Sequence, residues 1–178
     1  MSDYITTYTG KHFDPLHPQA ELICIEDIAH ALSLICRGNG HVKTFFSVGQ
    51  HCIFCAREAL ARNASKRLAL AALLHDASEC YMSDVPRPFK KSLHDYQKQE
   101  DKLLDIIYTK YLGSVLSEAE EQQLHFIDND LLWYDMKYLL NEPPAEPQPP
   151  LHISADHTVR AFEEVEEEYL SLFKELND

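Results

Sequence analysis

One segment constrains this chain more than any other, an apolar run that ends abruptly in polar side chains. After Ser65 the run continues to position 74 and is followed by His75, Asp76 and, three residues later, Glu79. Helical neighbours point about 100° apart, so His75 and Asp76 can converge on one ion, with Glu79 on the same flank. A metal ion beside a free carboxylate is the minimum for hydrolysis by activated water. The alternative is a solvated His-Asp pair at a helix end.

The rest of the chain has the periodicity of helices. Apolar stripes and end signals predict helices over 25–36, 48–64, 92–112, 118–140 and about 156–176. Ser47 with Gln50, and Ser117 with Glu120, have the spacing of capping boxes, and Gly113 is a stop signal. No alternating run is long enough for a sheet. We therefore expect an all-α fold.

Length and breaker residues indicate one domain over 1–178. We assign 1–22 to an irregular N-terminal arm and 154–176 to a C-terminal helix. Residues 141–153 are rich in proline and form either a linker or a wrapped extended segment. Two prolines predict a rigid, partly basic loop over 83–90.

Composition excludes several classes of partner. The net charge of −13 argues against nucleic acid, although a bound dication can reverse the local field for a small phosphorylated substrate. No apolar run approaches the ~20 residues of a membrane span, and the N-terminus lacks the features of a signal peptide. The five cysteines follow no disulfide framework, which fits a reducing compartment. We therefore expect a cytoplasmic protein without a membrane partner.

Further metal ligands are expected from two other helices. In the helix after Ser117, Asp128 falls on the apolar face, where a carboxylate needs a metal, a salt bridge or a capping partner. Asp135 lies on the same face and also needs an explanation, whereas Asp130 points to solvent. His51, in the first turn of its helix, is either a ligand or a capping or core histidine.

The residue types favour a transition metal. Imidazole combined with carboxylate suits Mn²⁺, Fe²⁺, Co²⁺, Ni²⁺ or Zn²⁺ better than Ca²⁺, and we keep Mg²⁺ as a further candidate. Cys52 and Cys55 form a CxxC pair beside His51 that suggests zinc or redox chemistry. The pair lies inside an apolar helix without a second CxxC, so we give it no ligand role.

The order His51, His75-Asp76, Asp128 resembles the H…HD…D signature of the HD-domain metal-dependent phosphohydrolases. Residues 75–79 and 84–90 are similar to the HDAxE…DxPxPxK run of the bacterial 5′-deoxynucleotidases. Residues 27–33 and 47–51 are similar to compact phage and prophage members, which include enzymes that remove triphosphate from dATP. The resemblance covers roughly residues 5–140.

The resemblance implies a single HD-domain helical bundle, a homo-oligomer, and roles for nine residues. One divalent cation would be bound by His51, His75, Asp76 and Asp128. Glu79 would act in acid–base chemistry, and Asp84 would form hydrogen bonds in the same pocket. Substrate contacts would come from Arg37, Lys90 and, unless it is structural, His41.

The function implied is hydrolysis of the 5′-phosphate of a deoxynucleoside monophosphate, with a small-molecule nucleotide as partner. One alternative is removal of triphosphate from a dNTP in the same site. Another is a catalytically silent nucleotide-sensing module, and a third is a Cys52/Cys55 redox protein. The tryptophan that follows the arginine in bacterial 5′-deoxynucleotidases is replaced by Gly38. Sugar selectivity and the choice of monophosphate therefore stay open.

Overall fold

Helices dominate residues 3–142 and 146–178, the part of the chain that the computed structural model describes. In chain order the elements are β1 Ile5–Thr6, β2 His12–Phe13, α1 Ile25–Leu34, α2 Val48–Ala61, α3 Lys66–Leu74, α4 Glu79–Met82, α5 Arg87–Lys90, α6 His94–Leu112, α7 Glu118–Leu139 and α8 Phe162–Asn177. The two strands pair with each other as a minimal antiparallel hairpin. The expected all-α fold is confirmed.

Helix α3 lies at the centre of the core. Every residue from Leu68 to Leu74 is buried, as expected for a helix that is apolar on all sides. Helix α2 packs along α3, and α8 packs across α1, α2 and α3. The Tyr169 hydroxyl of α8 donates to the Leu73 carbonyl at 2.6 Å. The end of α3, where His75 and Asp76 follow, is therefore held inside the bundle.

Capping side chains set the helix starts as expected. Ser47 accepts a hydrogen bond from the Gln50 amide at 3.1 Å, and the Gln50 side chain accepts from the Ser47 amide at 3.2 Å. An equivalent capping box starts α7, and left-handed Gly113 ends α6. Helix α1 ends at position 34, before the expected 36, because Cys36 pairs with Ser47 in an isolated bridge. Helix α2 likewise ends at position 61, before the expected 64.

The C-terminal helix begins later than the predicted position 154. Helix α8 begins at Phe162, because Asp156 accepts hydrogen bonds from the Thr158 amide (2.9 Å) and hydroxyl (3.0 Å) and so stabilises a turn. Two other segments also differ. The arm over 1–22 contains the β1–β2 hairpin, its first two residues being outside the described part of the chain. The loop predicted over 83–90 contains α5, where Pro88 is tolerated because a first-turn amide has no intrahelical acceptor.

The proline-rich segment is wrapped against α2 by a buried carboxylate. Glu58 is 0% exposed, and its side chain accepts hydrogen bonds from Arg62 Nε at 2.8 Å, the His152 amide at 2.9 Å and the Ile153 amide at 3.1 Å. The Tyr134 hydroxyl donates to the Pro149 carbonyl at 2.8 Å. Residues 146–153 are therefore a wrapped extended segment, while 143–145 lie outside the described residues.

We expect Glu58→Gln to lower the free energy of unfolding by about 2–4 kcal/mol, because the amide NH₂ group would face the donors that Glu58 now accepts from, and the ion pair with Arg62 would be lost. The hydrogen bonds from Arg62 and His152 outweigh burial and lower the pKa of Glu58. Its contribution is therefore present above the ordinary pKa of about 4.3 and is lost as pH falls toward the folded-state value. Denaturant unfolding between pH 3 and pH 7 (roughly the window set by that pKa) measures both effects. Exposed Glu167→Gln is the control, and equal stability of the two variants would contradict the role of Glu58.

Candidate metal centre

His51 lies in the first turn of α2, where the capping box fixes the start of the helix. Its imidazole is fully buried between two carboxylates of α7. The Nδ1 atom lies 2.9 Å from Asp135 Oδ2, and Nε2 lies 3.1 Å from Asp128 Oδ1. The two aspartates that helical projection placed on the apolar face of α7 therefore converge on one histidine.

His75 follows the last residue of α3 and presents a nitrogen without a hydrogen bond. Its Nδ1 lies 2.8 Å from the Ala72 carbonyl, which can only accept, so Nδ1 carries a proton. Its Nε2 is buried and has no hydrogen-bond partner among the described residues. Asp76 Oδ2 lies 3.3 Å and Asp128 Oδ1 3.8 Å from that Nε2. A buried nitrogen without a hydrogen-bond partner that faces two carboxylates fits a cation between them.

The electrostatics of this cluster favour positive charge. Burial lowers the pKa of His75, but the carboxylate of Asp76 outweighs it and holds that pKa well above its usual value. Burial raises the pKa values of Asp76 and Asp128, but the neighbouring histidines and Arg37 bring both well below the usual range. Protons or a metal cation can supply the positive charge that these carboxylates stabilise.

Donor atoms form two overlapping groups here. In the first, donors from His51, Cys55, His75 and Asp128 all lie within 4.8 Å of one another, and in the second, donors from Cys52, His75 and Asp76 do so. Atoms bound at about 2.1 Å to one ion lie roughly 3–4 Å apart. The structure therefore brings three of the expected ligands into one group and adds Asp76 through the shared His75. This His/Cys/Asp cluster is compatible with a divalent metal.

Asp135 contacts the candidate ligand His51 on the side away from the other donors. The sequence analysis predicted only that this carboxylate needs a partner. Besides His51, it contacts His157 Nε2 at 3.0 Å and Arg37 at 3.3 Å. Arg37, in the 3-10 turn Arg37–Gly40, also reaches Asp76 Oδ2 at 3.3 Å. Asp135 thereby orients the imidazole of His51, an arrangement typical of carboxylates that support metal ligands.

We expect Asp135→Asn to weaken metal binding about 10–100-fold without abolishing it. The amide oxygen can still accept from His51 Nδ1, but the negative charge that increases the basicity of the ring is lost. Asp135→Leu should weaken binding further, because no acceptor remains for His51. Metal competition with a chromogenic chelator measures both variants, and unchanged affinity in Asp135→Leu would contradict this supporting role.

A cavity of about 430 Å³ opens beside the cluster. Among the sequence-predicted residues, its lining includes Arg37, Asp76, Glu79, Asp84, Lys90 and Asp128. Glu79 is 5% exposed, and its Oε2 has no hydrogen-bond partner among the described residues. Burial, together with the negative charges of Asp76 and Asp84, holds the pKa of Glu79 well above its usual value. A largely buried carboxyl group therefore faces the same space as the candidate metal donors Asp76 and Asp128.

The remaining predicted substrate contacts differ in position. Lys90 lines the cavity but is ion-paired, with Nζ 2.8 Å from Glu100 Oε1. His41 is exposed at the end of the 3-10 turn and is not part of the cavity lining. Arg87 was missed as a site residue: it lines the cavity and pairs with the carboxylate of Asp128. The position of Arg87 inside the 84–90 motif was the sequence signal that could have identified it as a site residue.

The cavity lining is also partly apolar. Its apolar residues come from α7 and its end, from the segment before α5, from α5 itself and from the segment after the 3-10 turn: Val42, Val85, Pro86, Pro88, Leu132, Met136, Leu139 and Leu140. A lining that combines apolar and charged side chains can accept a ligand with one flat or apolar end and one anionic end.

No family model matches the chain. Two bacterial proteins are similar to part of it. The uncharacterized protein YfdR of Escherichia coli K12 is 41% identical over 108 residues, which cover 61% of this chain and 58% of YfdR. An uncharacterized protein of Rhodobacter capsulatus is 34% identical over 109 residues, which cover 58% of this chain and 55% of that protein. The matched part of the chain thus spans a little over half the length of these relatives, and neither name states an activity. Within the described residues, no helix has the length and apolar character to cross a membrane.

Proposed function

We propose that the protein is a metal-dependent phosphohydrolase that releases phosphate from the 5′-position of deoxynucleoside monophosphates. The observation that carries this proposal is the shared cavity. It is lined by the candidate metal donors Asp76 and Asp128, by cationic side chains and by Glu79, whose Oε2 has no hydrogen-bond partner among the described residues. The resemblance of residues 75–79 and 84–90 to the 5′-deoxynucleotidase branch of the HD-domain phosphohydrolases supports the same reaction.

Each polar residue then has a task in phosphate hydrolysis. A bound divalent cation would supply Lewis-acid stabilisation and a water of lowered pKa, and it would be held by His51, His75, Asp76 and Asp128. Arg37 and Lys90 position the phosphate and stabilise the negative charge that develops on it. Glu79 transfers a proton between water and the leaving oxygen, which its buried carboxyl group can do in either direction. Asp84, which also lines the cavity, accepts hydrogen bonds there.

The charge of the cavity favours a monophosphate. Five carboxylates (Asp76, Glu79, Asp84, Asp128 and Asp135) and three cations (Arg37, Arg87 and Lys90) line it. A dication would balance these formal charges, and protonation of Glu79 would leave one positive charge. A net cavity charge of zero or +1 balances only a small part of the several negative charges of a triphosphate.

A dNTP triphosphohydrolase is the second candidate, and Arg87 is the observation in its favour. The Arg87 guanidinium is about half exposed at the cavity edge, with its side chain 53% accessible. It could leave Asp128 to pair with a longer phosphate chain, because arginine binds phosphate oxygens in a bidentate geometry.

A substrate panel distinguishes the candidates. Metal-stripped protein is re-supplied with Mn²⁺, Co²⁺, Zn²⁺ or Mg²⁺ and assayed with dNMPs, NMPs and dNTPs, with phosphate and triphosphate quantified separately. We expect metal-dependent phosphate release from dNMPs. Triphosphate release from a dNTP with inert dNMPs would replace the leading proposal by the second candidate. Nucleotide binding without turnover under any metal would support a nucleotide sensor instead.

A further inference from the structure

Helix α2 carries a buried thiol beside the metal centre that the proposed hydrolysis does not use. Cys55 is 0% exposed, and its Sγ lies 3.4 Å from His51 Nε2 and within 4.8 Å of the donors of His75 and Asp128. We propose that Cys55 binds the metal as a thiolate, so that the centre selects Zn²⁺, Co²⁺ or Fe²⁺ over Mn²⁺ and Mg²⁺. This deepens the proposed function by naming the metal class, and it rests only on the metal-binding part of it.

The spacing of the helix places the thiol on the correct face. Cys55 follows His51 by four residues, so the two side chains lie one above the other on α2. Bonds of about 2.3 Å to sulfur and about 2.1 Å to nitrogen put two ligands of a tetrahedral ion roughly 3.6 Å apart. The observed 3.4 Å between Cys55 Sγ and His51 Nε2 is close to that separation.

An independent feature indicates that a ligand is bound at this point. The side chain of His75 is 10% exposed, and its Nε2 has no hydrogen bond among the described residues, while Nδ1 contacts the Ala72 carbonyl. Nε2 belongs to the same donor group as Cys55 Sγ. Two nitrogens, one carboxylate oxygen and one sulfur then make a four-donor set, to which Asp76 adds a carboxylate oxygen 3.3 Å from His75 Nε2.

The chemistry of this donor set determines which metal it favours. On binding, the Cys55 thiol releases its proton to the buffer, and the sulfur donates an electron pair to the cation. Thiolate ligands favour Zn²⁺ and other borderline ions, whereas Mg²⁺ and Mn²⁺ prefer oxygen donors. Without Cys55 the centre contains only imidazole and carboxylate, which discriminate less between these metals.

Cobalt spectroscopy tests the assignment without substrate. We expect Co²⁺ added to metal-stripped wild-type protein to produce a thiolate-to-cobalt charge-transfer band in the near ultraviolet. Cys55→Ser should lose the band and bind Zn²⁺ at least about tenfold more weakly, with less than about twofold change for Mn²⁺. Cys52→Ser tests the rival thiol, which belongs to the second donor group, and should keep the band. The matched control is Cys24→Ser, which replaces a buried thiol in neither donor group and should also keep it.

The outcomes separate this inference from the proposed reaction. Absence of the band in wild-type protein would overturn the inference, and that measurement does not depend on the folding of any variant. A band that persists in Cys55→Ser and disappears in Cys52→Ser would also overturn it. A protein that shows the predicted cysteine dependence yet hydrolyses no nucleotide would support the thiolate ligand and reject only the proposed reaction.

Discussion

Asp128→Ala is expected to abolish metal binding and, with it, all turnover. The carboxylate of Asp128 approaches both histidines, with Oδ1 3.1 Å from His51 Nε2 and 3.8 Å from His75 Nε2. Its removal deletes a donor that lies between the two imidazoles and also leaves the guanidinium of Arg87 without its carboxylate. We expect the affinity for divalent metal to fall by more than about 100-fold, since even residues that only orient ligands cost 10–100-fold.

Metal content after gel filtration, measured by elemental analysis, checks this expectation. Asp130→Ala is the matched control, because Asp130 lies two residues further along α7 and pairs with Arg62 at 2.8 Å, away from the cluster. That variant should keep its metal. Full occupancy in Asp128→Ala would remove Asp128 from the ligand set.

Glu79→Gln is expected to lower kcat by about 10²–10⁴-fold while leaving the metal bound. Glu79 lies in neither group of donor atoms, so the amide should not disturb the ion. Glutamine has nearly the same shape but cannot transfer a proton, so the loss would fall on the chemical step.

Kinetics on metal-loaded protein, with metal content measured on the same sample, tests this role. Glu58→Gln is the control, since it also replaces a buried glutamate but should lower stability and not kcat. Unchanged kcat in Glu79→Gln would exclude Glu79 from proton transfer.

Local signals in the sequence predicted much of the fold and part of the site. The capping residues Ser47, Ser65 and Ser117 fixed three helix starts, because each cap satisfies amides within its own first turn. Helical projection placed Asp128 and Asp135 on the apolar face of α7, and both are largely buried beside His51.

The sequence analysis missed contacts between side chains that lie far apart along the chain. Asp130 was expected to point to solvent, which is wrong, because Arg62 reaches it from α2. The partner of Asp135 at position 157 falls in a stretch that was predicted to be helical but lies before α8 and is not helical. Periodicity identifies the face of a helix but not the side chain that will contact it. For the proposed thiolate ligand Cys55, the four-residue spacing to His51 is a signal that the sequence does contain.

The most direct test of the metal-dependent hydrolase is to measure bound metal and dNMP hydrolysis together while metal-stripped protein is re-supplied. The account predicts that phosphate release rises in proportion to bound metal and stops rising at one ion per chain. Full hydrolysis in the presence of excess chelator, or no hydrolysis of any dNMP, NMP or dNTP when the site is saturated, would contradict it.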